Sequence, residues 1–134
     1  MEFEIIQPEG WAPAKGYSNG IRVRDAGSLL FIAGQIAWDA EQRLVGAGDF
    51  LVQFSQALRN VVAVVETAGG RASHLVRVTV YVTDKTQYAE RLKEVGAAWR
   101  EIVGRHYPPM ALVQVADLVE PGALVEIEAT AALP

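Results

Sequence analysis

Cysteine is absent from the sequence. No disulfide can staple the chain, and thiol nucleophiles and thiolate metal sites are excluded. Histidine is scarce too, with only His74 and His106 present. Both fall in or near loops, where a surface or helix-end role is expected, and no His, Asp or Glu cluster has metal-ligand spacing, so neither a metal nor a cofactor is expected. An excess of positive charge is also missing. The net charge of −4 leaves no basic stripe for a phosphate backbone, which argues against a nucleic-acid partner. Lys15, Arg22 and Arg24 are close in sequence and read as a solvated face. Long apolar runs are lacking, since the best candidates are broken by Asn60, Glu66 or Arg77, so no membrane partner is expected. The opening MEFEIIQPEGW has no basic start followed by an apolar run and does not read as a secretory signal. With no cysteine to oxidise, the expected location is cytoplasmic.

What is present fits a single domain over residues 1–134, with 51% hydrophobic and 21% charged residues supporting a modest globular core. Phe3 and Ile5 alternate with glutamates as in a short strand. Pro8, Gly10, Pro13 and Gly16 then break regular structure. Ile21 to Arg24 and Leu29 to Ala33 read as two strands around the Asp25-Ala26-Gly27 turn, and so as a hairpin. Trp38 to Gly48 is polar, glycine-punctuated loop.

Asp49 can cap a helix running to about Ala68, with Phe50, Phe54, Leu58, Val61, Val65 and Ala68 on one stripe. Gly69-Gly70 ends it. In the strand from Leu75 to Val82, Val76, Val78, Val80 and Val82 share one face, and Arg77, Thr79 and Tyr81 the other. Asp84 and Gln87 have capping-box spacing before a second helix bearing Tyr88, Leu92, Val95, Trp99 and Ile102. Gly104 and Pro108-Pro109 close that helix. Met110 to Val115 and Ala123 to Ala131 are the last strands. The order predicts an α+β fold, a mixed sheet of about six strands with two helices on one face.

Two helices leave the other sheet face uncovered. In the last strand Val125 and Ile127 point one way, Glu126 and Glu128 the other. If Ala111, Val113 and Val115 pack beneath the helices, the glutamates share the outer face with Met110, Leu112 and Gln114. Two readings are open. The face is an ordinary solvated one, or it is covered by a second subunit that partly desolvates a carboxylate and suits it to proton transfer. Other candidates are weaker. Ser18 and Ser28 lack a nucleophile-elbow context. The GAGD run at 46–49 lacks the lysine and hydroxyl residue of a phosphate loop. Trp11, Trp38 and Tyr17 serve either packing or a pocket wall.

Taken together, KGYSNGIRV at 15–23, LLFIAGQIAWD at 29–39, FSQALRNVVAVVETAGG at 54–70, HLVRVTVYVTDKTQYAE at 74–90 and VQVADLVEPGALVEIEATA at 113–131 resemble the reactive-intermediate deaminase family, RidA/YjgF, long known by an endoribonuclease L-PSP name. The resemblance covers nearly the whole chain in family order. It implies a chorismate-mutase-like fold and a homotrimer with a small-molecule ligand in each intersubunit cleft. The family deaminases hydrolyse amino-acid-derived enamines or imines such as 2-aminoacrylate, anchoring the substrate carboxylate with an arginine.

The resemblance assigns Glu126 to positioning the hydrolytic water, Tyr17 to the tyrosine of the cleft, and Gly34 to a backbone contact beside the substrate. It also marks departures. Met110 stands where the anchoring arginine is expected, Leu112 where the family has cysteine or a small residue, Ala33 where it usually has serine, and Leu92 roughly where a helix contributes an asparagine. Arg105, near Met110 in sequence, is a candidate replacement anchor. Glu128 is left as a structural or interface carboxylate. Two functions follow. One is a deaminase-type hydrolase whose enamine or imine substrate is not of the usual 2-aminoacrylate type, and the other a non-catalytic trimeric module whose apolar intersubunit cleft binds a small molecule or whose surface serves another protein. Whether the chain is an enzyme stays open at this point.

Overall fold

A computed structural model describes residues 1–134. Strands β1 (Glu2–Ile6) and β2 (Gly20–Arg24) form an antiparallel ribbon with Phe3 opposite Val23 and Ile5 opposite Ile21. Strands β3 (Ser28–Gln35), β4 (Leu75–Val82), β5 (Met110–Gln114) and β6 (Val125–Leu133) form one mixed sheet in the order β3-β6-β4-β5. Helix α1 (Phe50–Thr67) links β3 to β4, and α2 (Lys85–Ala89) and α3 (Leu92–Ile102) link β4 to β5. The β4–β5 pair is parallel, so its connection must cross over the sheet, and the two helices supply that crossover. The expected α+β arrangement of six strands is observed, divided between a four-stranded sheet and a two-stranded ribbon.

Register decides which side chains meet the helices. Strand β6 lies between β3 and β4, with Val125 opposite Val82, Ile127 opposite Val80 and Ala129 opposite Val78. All six are buried, and they form one core with Phe50, Phe54, Leu58, Val61 and Val65 of α1 and Val95 and Trp99 of α3. Phe31, Thr130, Glu128, Thr79, Glu126 and Tyr81 take the opposite face. No element of the chain covers that face, and Phe31 is 76% exposed there.

Three expectations change. First, β2 pairs with β1 and makes no hairpin with β3. Asp25 takes a positive φ of 55° and the Gly27 N–H donates to the Leu133 carbonyl at 2.9 Å, which steers the chain into the sheet beside β6. Alternation identifies a strand but does not select its partner. Second, Met110, Leu112 and Gln114 stand in register with Val78, Val80 and Val82, so they share the helix side of the sheet. Ala111 and Val113 stand beside Thr79 and Tyr81 on the outer face, while Val115 lies past the strand. The strand is apolar on both faces, so its pattern did not say which face turns inward. Third, the second helix is two, because Arg91 leaves helical geometry (φ −127°, ψ 28°). Asp84 caps α2 through the Thr86 N–H at 2.9 Å, but no return bond from Gln87 completes a capping box.

Buried polar ties hold α1 to the strands. Gln53 is fully buried and uses both ends of its amide. Its Nε2 donates to the carbonyls of Gly46 at 3.1 Å and Gly122 at 3.0 Å, and its Oε1 accepts from the Leu124 N–H at 2.8 Å. The start of β6 is thereby pinned to the first turn of α1. Asn60 donates to the carbonyls of Ile36 at 3.0 Å and Trp38 at 2.8 Å, fixing the chain just beyond β3. The Gln53→Leu substitution keeps the apolar volume but strands these backbone groups, and a loss of about 2 kcal/mol is expected in urea unfolding. A loss below about 0.5 kcal/mol, within the range of an ordinary surface substitution, would contradict this role.

Candidate functional site

The candidate residues fall into two groups that the folded chain keeps apart. The first group surrounds a cavity of about 520 Å³ between α3 and the edge of the sheet. Its position depends on Ser18, whose buried hydroxyl donates to the Tyr107 carbonyl at 2.5 Å while its N–H donates to the Pro108 carbonyl at 3.4 Å. Those bonds stitch the segment before β2 onto the segment that leads into β5, and Tyr17 joins Met110 in the cavity wall. The Phe3 ring stacks on His106 at 6.4 Å between centroids and ties the ribbon to the same place.

Met110, Leu112 and Val80 form the sheet wall of the cavity, Phe54 contributes from α1, and Leu92, Val95 and Trp99 contribute from α3. The Trp99 indole N–H is spent on the His106 carbonyl at 2.9 Å. Lys15 and Arg100 supply the cationic side chains, and no aspartate or glutamate lines the cavity.

The second group lies where β3 meets β6. Their pairing is irregular between Ile32 and Gln35, which leaves Ala33 and Gly34 out of simple register. The Glu126 side chain lies against Gly34 so closely that a Cβ there would stand 2.7 Å from its Oε1. Only glycine allows that approach without displacing the carboxylate. Glu126 is half-buried and has no hydrogen-bond or ion-pair partner. Glu128, two residues on along the same face, accepts a 2.6 Å hydrogen bond from the Tyr81 hydroxyl. That bond holds the Tyr81 pKa above its ordinary value, helped by burial and by the charges of Glu128 and Glu126.

Within one chain, therefore, Tyr17, Leu92, Met110 and Leu112 share the cavity, whereas Ala33, Gly34 and Glu126 stand elsewhere. Arg105 is exposed and does not line the cavity, so proximity in sequence to Met110 does not bring it to the proposed anchor position. Its place beyond the end of α3 removes it from the cavity-facing turn of that helix. The histidines are structural and less exposed than expected. His106 Nε2–H donates to the Leu75 carbonyl at 2.6 Å, and buried His74 accepts at Nδ1 from the Arg71 N–H at 3.1 Å, with burial lowering its pKa.

Sequence reading missed Arg100, while Lys15, read as part of a solvated face, is exposed and also borders the cavity. A signal for Arg100 was present, since Leu92, Gly96 and Arg100 recur every four residues and so share one helix face.

The chain matches the family model for Endoribonuclease L-PSP over residues 9–133. It is 38% identical over 131 residues to a RutC family protein of Pyrococcus horikoshii, covering 98% of each chain. A solved structure of the Rid family protein YyfB of Yersinia pestis superposes with a TM-score of 0.85 at 34% identity, covering 99% of this chain and 100% of that one. The structure of E. coli TdcF with bound serine gives a TM-score of 0.70 at 31% identity over 98% and 99% of the two chains. The chain belongs to the RidA/YjgF family, which shares the Endoribonuclease L-PSP model. At family level this associates it with reactive-intermediate deaminase activity. No helix is long and apolar enough to cross a membrane.

The Tyr81–Glu128 bond has a pH signature. A pKa raised on folding favours the folded chain fully below the unfolded tyrosine value of about 10, and that contribution is lost as pH climbs through the folded value. Replacing Tyr81 by Phe should flatten the fall of stability at alkaline pH, measured by urea unfolding between about pH 8 and 11. An unchanged alkaline slope would contradict the assignment.

Proposed function

We propose that the chain is a deaminase-type hydrolase that converts an enamine or imine to a carbonyl compound and ammonia. The observation that carries this reading is the unpartnered Glu126 carboxylate lying over the side-chain-free surface of Gly34. A carboxylate free of protein partners has lone pairs available for a water molecule and its proton. Water attacks the imine carbon while Glu126 takes a water proton. The tetrahedral amino alcohol then collapses, the C–N bond breaks, and the proton leaves with nitrogen as ammonia. An enamine enters the same path after protonation at carbon. Tyr17, with its hydroxyl free of protein hydrogen bonds, orients the substrate or the water, and the Gly34 backbone approaches the substrate closely.

These roles require the two groups of residues to meet, and a second copy of the chain is the partner that supplies the other group. Self-association as a homotrimer covers the outer sheet face, where Leu29 is 58% and Phe31 76% exposed. Ala33, Leu92, Met110 and Leu112 then shape the substrate space. With Met110 where the family anchors a carboxylate, that space takes an enamine or imine other than the 2-aminoacrylate type. The same methionine favours a second reading, a non-catalytic trimer whose apolar cleft holds a small molecule or whose surface serves another protein.

Ammonia release from a panel of enzymatically generated imines tests the first reading. The Glu126→Gln variant should lose at least about a hundredfold in kcat/KM, the scale of a general base. Unchanged turnover removes Glu126 from the chemistry, and no turnover on any imine favours the binding module. Sedimentation at micromolar concentration should give a particle of three 14.5 kDa chains, whereas a stable monomer would contradict the shared site.

A further inference from the structure

The proposed role of Glu126 depends on its having no protein partner, yet a donor lies within its reach. Tyr81 stands directly opposite Glu126 in the β4–β6 register, whereas Glu128 stands opposite Thr79, one diagonal step away. Cβ atoms are about 4.5–5.5 Å apart in a directly opposed pair and about 7–8 Å apart on the diagonal, and an aromatic side chain spans either distance. A phenol has one O–H to give. Here it goes to the diagonal acceptor, Glu128, at 2.6 Å, the length of a charge-assisted bond. The hydroxyl nevertheless senses both carboxylates, since the charge of Glu126 as well as that of Glu128 holds the Tyr81 pKa up. Arg77 lies on the same face, opposite Thr130, and forms no ion pair with either glutamate.

We propose that Glu128 is a positioning residue, which holds the Tyr81 hydroxyl away from Glu126 and so keeps the Glu126 carboxylate free for water. The inference rests on the proposed role of Glu126 and adds the device that leaves that group unpartnered. Without Glu128, the half-buried Tyr81 hydroxyl loses its acceptor, and an unmade hydrogen bond is costly. The directly opposed Glu126 carboxylate is then the acceptor within reach, and its charge makes the bond roughly twice as strong as a neutral one. That bond would draw Glu126 toward β4 and occupy a lone pair that the water needs. Gly34 acts from the other side. Oε1, Cδ and Cγ of Glu126 lie 2.7, 2.8 and 3.0 Å from where a Cβ of residue 34 would stand. The bare backbone thus gives the carboxylate room on the β3 side, while Glu128 occupies the competing donor on the β4 side. The two glutamates of β6 have separate tasks, one to handle water and the other to keep a tyrosine from interfering.

The test combines a structure with a rate. A crystal structure of the full chain carrying Glu128→Ala should show the Tyr81 hydroxyl within about 3 Å of a Glu126 carboxylate oxygen, with that carboxylate displaced from Gly34. Adding Tyr81→Phe should return the carboxylate to Gly34. On an imine that the parent chain turns over, Glu128→Ala should lower kcat about tenfold, the scale of one hydrogen bond to a charged group, with KM changed less than about twofold. The double variant Glu128→Ala/Tyr81→Phe should recover to within about threefold of the parent, a rescue that damage to the fold or to the oligomer would not allow. A Tyr81 hydroxyl turned elsewhere in Glu128→Ala, with Glu126 still over Gly34, would overturn the inference, as would a loss of rate that Tyr81→Phe does not relieve. The structural result stands apart from turnover. A parent chain without turnover on any imine counts against the proposed function, and the place of Tyr81 in Glu128→Ala still decides whether Glu128 positions it.

Discussion

The register of β6 between β3 and β4 is the constraint from which the other features follow. With Ile127 opposite Val80 and Val125 opposite Val82, the apolar residues of the strand lie under the helices and its two glutamates lie outside. A slip by one residue would bury both carboxylates and expose the valine and isoleucine, an exchange that no polar partner on the helix side could offset. Gln53 helps to prevent that slip, because its amide holds both Gly122 and Leu124 at the start of the strand. The same register places Glu126 against Gly34 and Glu128 within reach of Tyr81. Two carboxylates on one face are thereby given different surroundings. One is committed to a tyrosine hydroxyl, and the other is left without a partner.

The parallel pairing of β5 on β4 makes the second part of the site. It turns Met110 and Leu112 toward α3, and the Ser18 hydrogen bonds bring Tyr17 to the same wall. The cavity and the free glutamate then open on different parts of one chain. In the proposed trimer this separation is functional, since each copy contributes a binding wall to one site and a water-handling carboxylate to another. Met110 stands where the family resemblance places an anchoring arginine, and Lys15 and Arg100 are the cations that line the wall.

Much of the fold was legible in the sequence. The alternation of Val78, Val80 and Val82 in β4, the three-and-four spacing of Phe50, Phe54, Leu58, Val61 and Val65, and the caps at Asp49 and Asp84 are local signals, and each corresponds to its structural element, whereas an irregularity between Leu75 and Arg77 puts Leu75 in the core where Val76 was expected. What was not legible is relational. Periodicity separates the faces of β5 but cannot choose the inward one when methionine and leucine alternate with alanine and valine. It also cannot show that β2 leaves β3 for β1. Among site residues, alternation marked Glu126 and Glu128 together, the choice of Glu126 and the role of Gly34 came from a family resemblance, and their contact required the bulged β3–β6 pairing to be seen. Arg105 was suggested by nearness along the chain, whereas Arg100 reaches the cavity because of nearness along a helix face. Ser18, set aside as a nucleophile, is the clamp that positions Tyr17.

The absence of cysteine makes the central claim directly measurable, because introduced thiols have no native competitor. Chains carrying Met110→Cys are mixed and reassembled with chains carrying Glu126→Cys, then treated with a short bismaleimide. If the cavity of one copy faces the glutamate of another, a covalent two-chain product forms in the mixture and is scarce when either variant is treated alone. Failure to form that product in mixtures verified to contain both variants in the same oligomer would contradict a site shared between subunits.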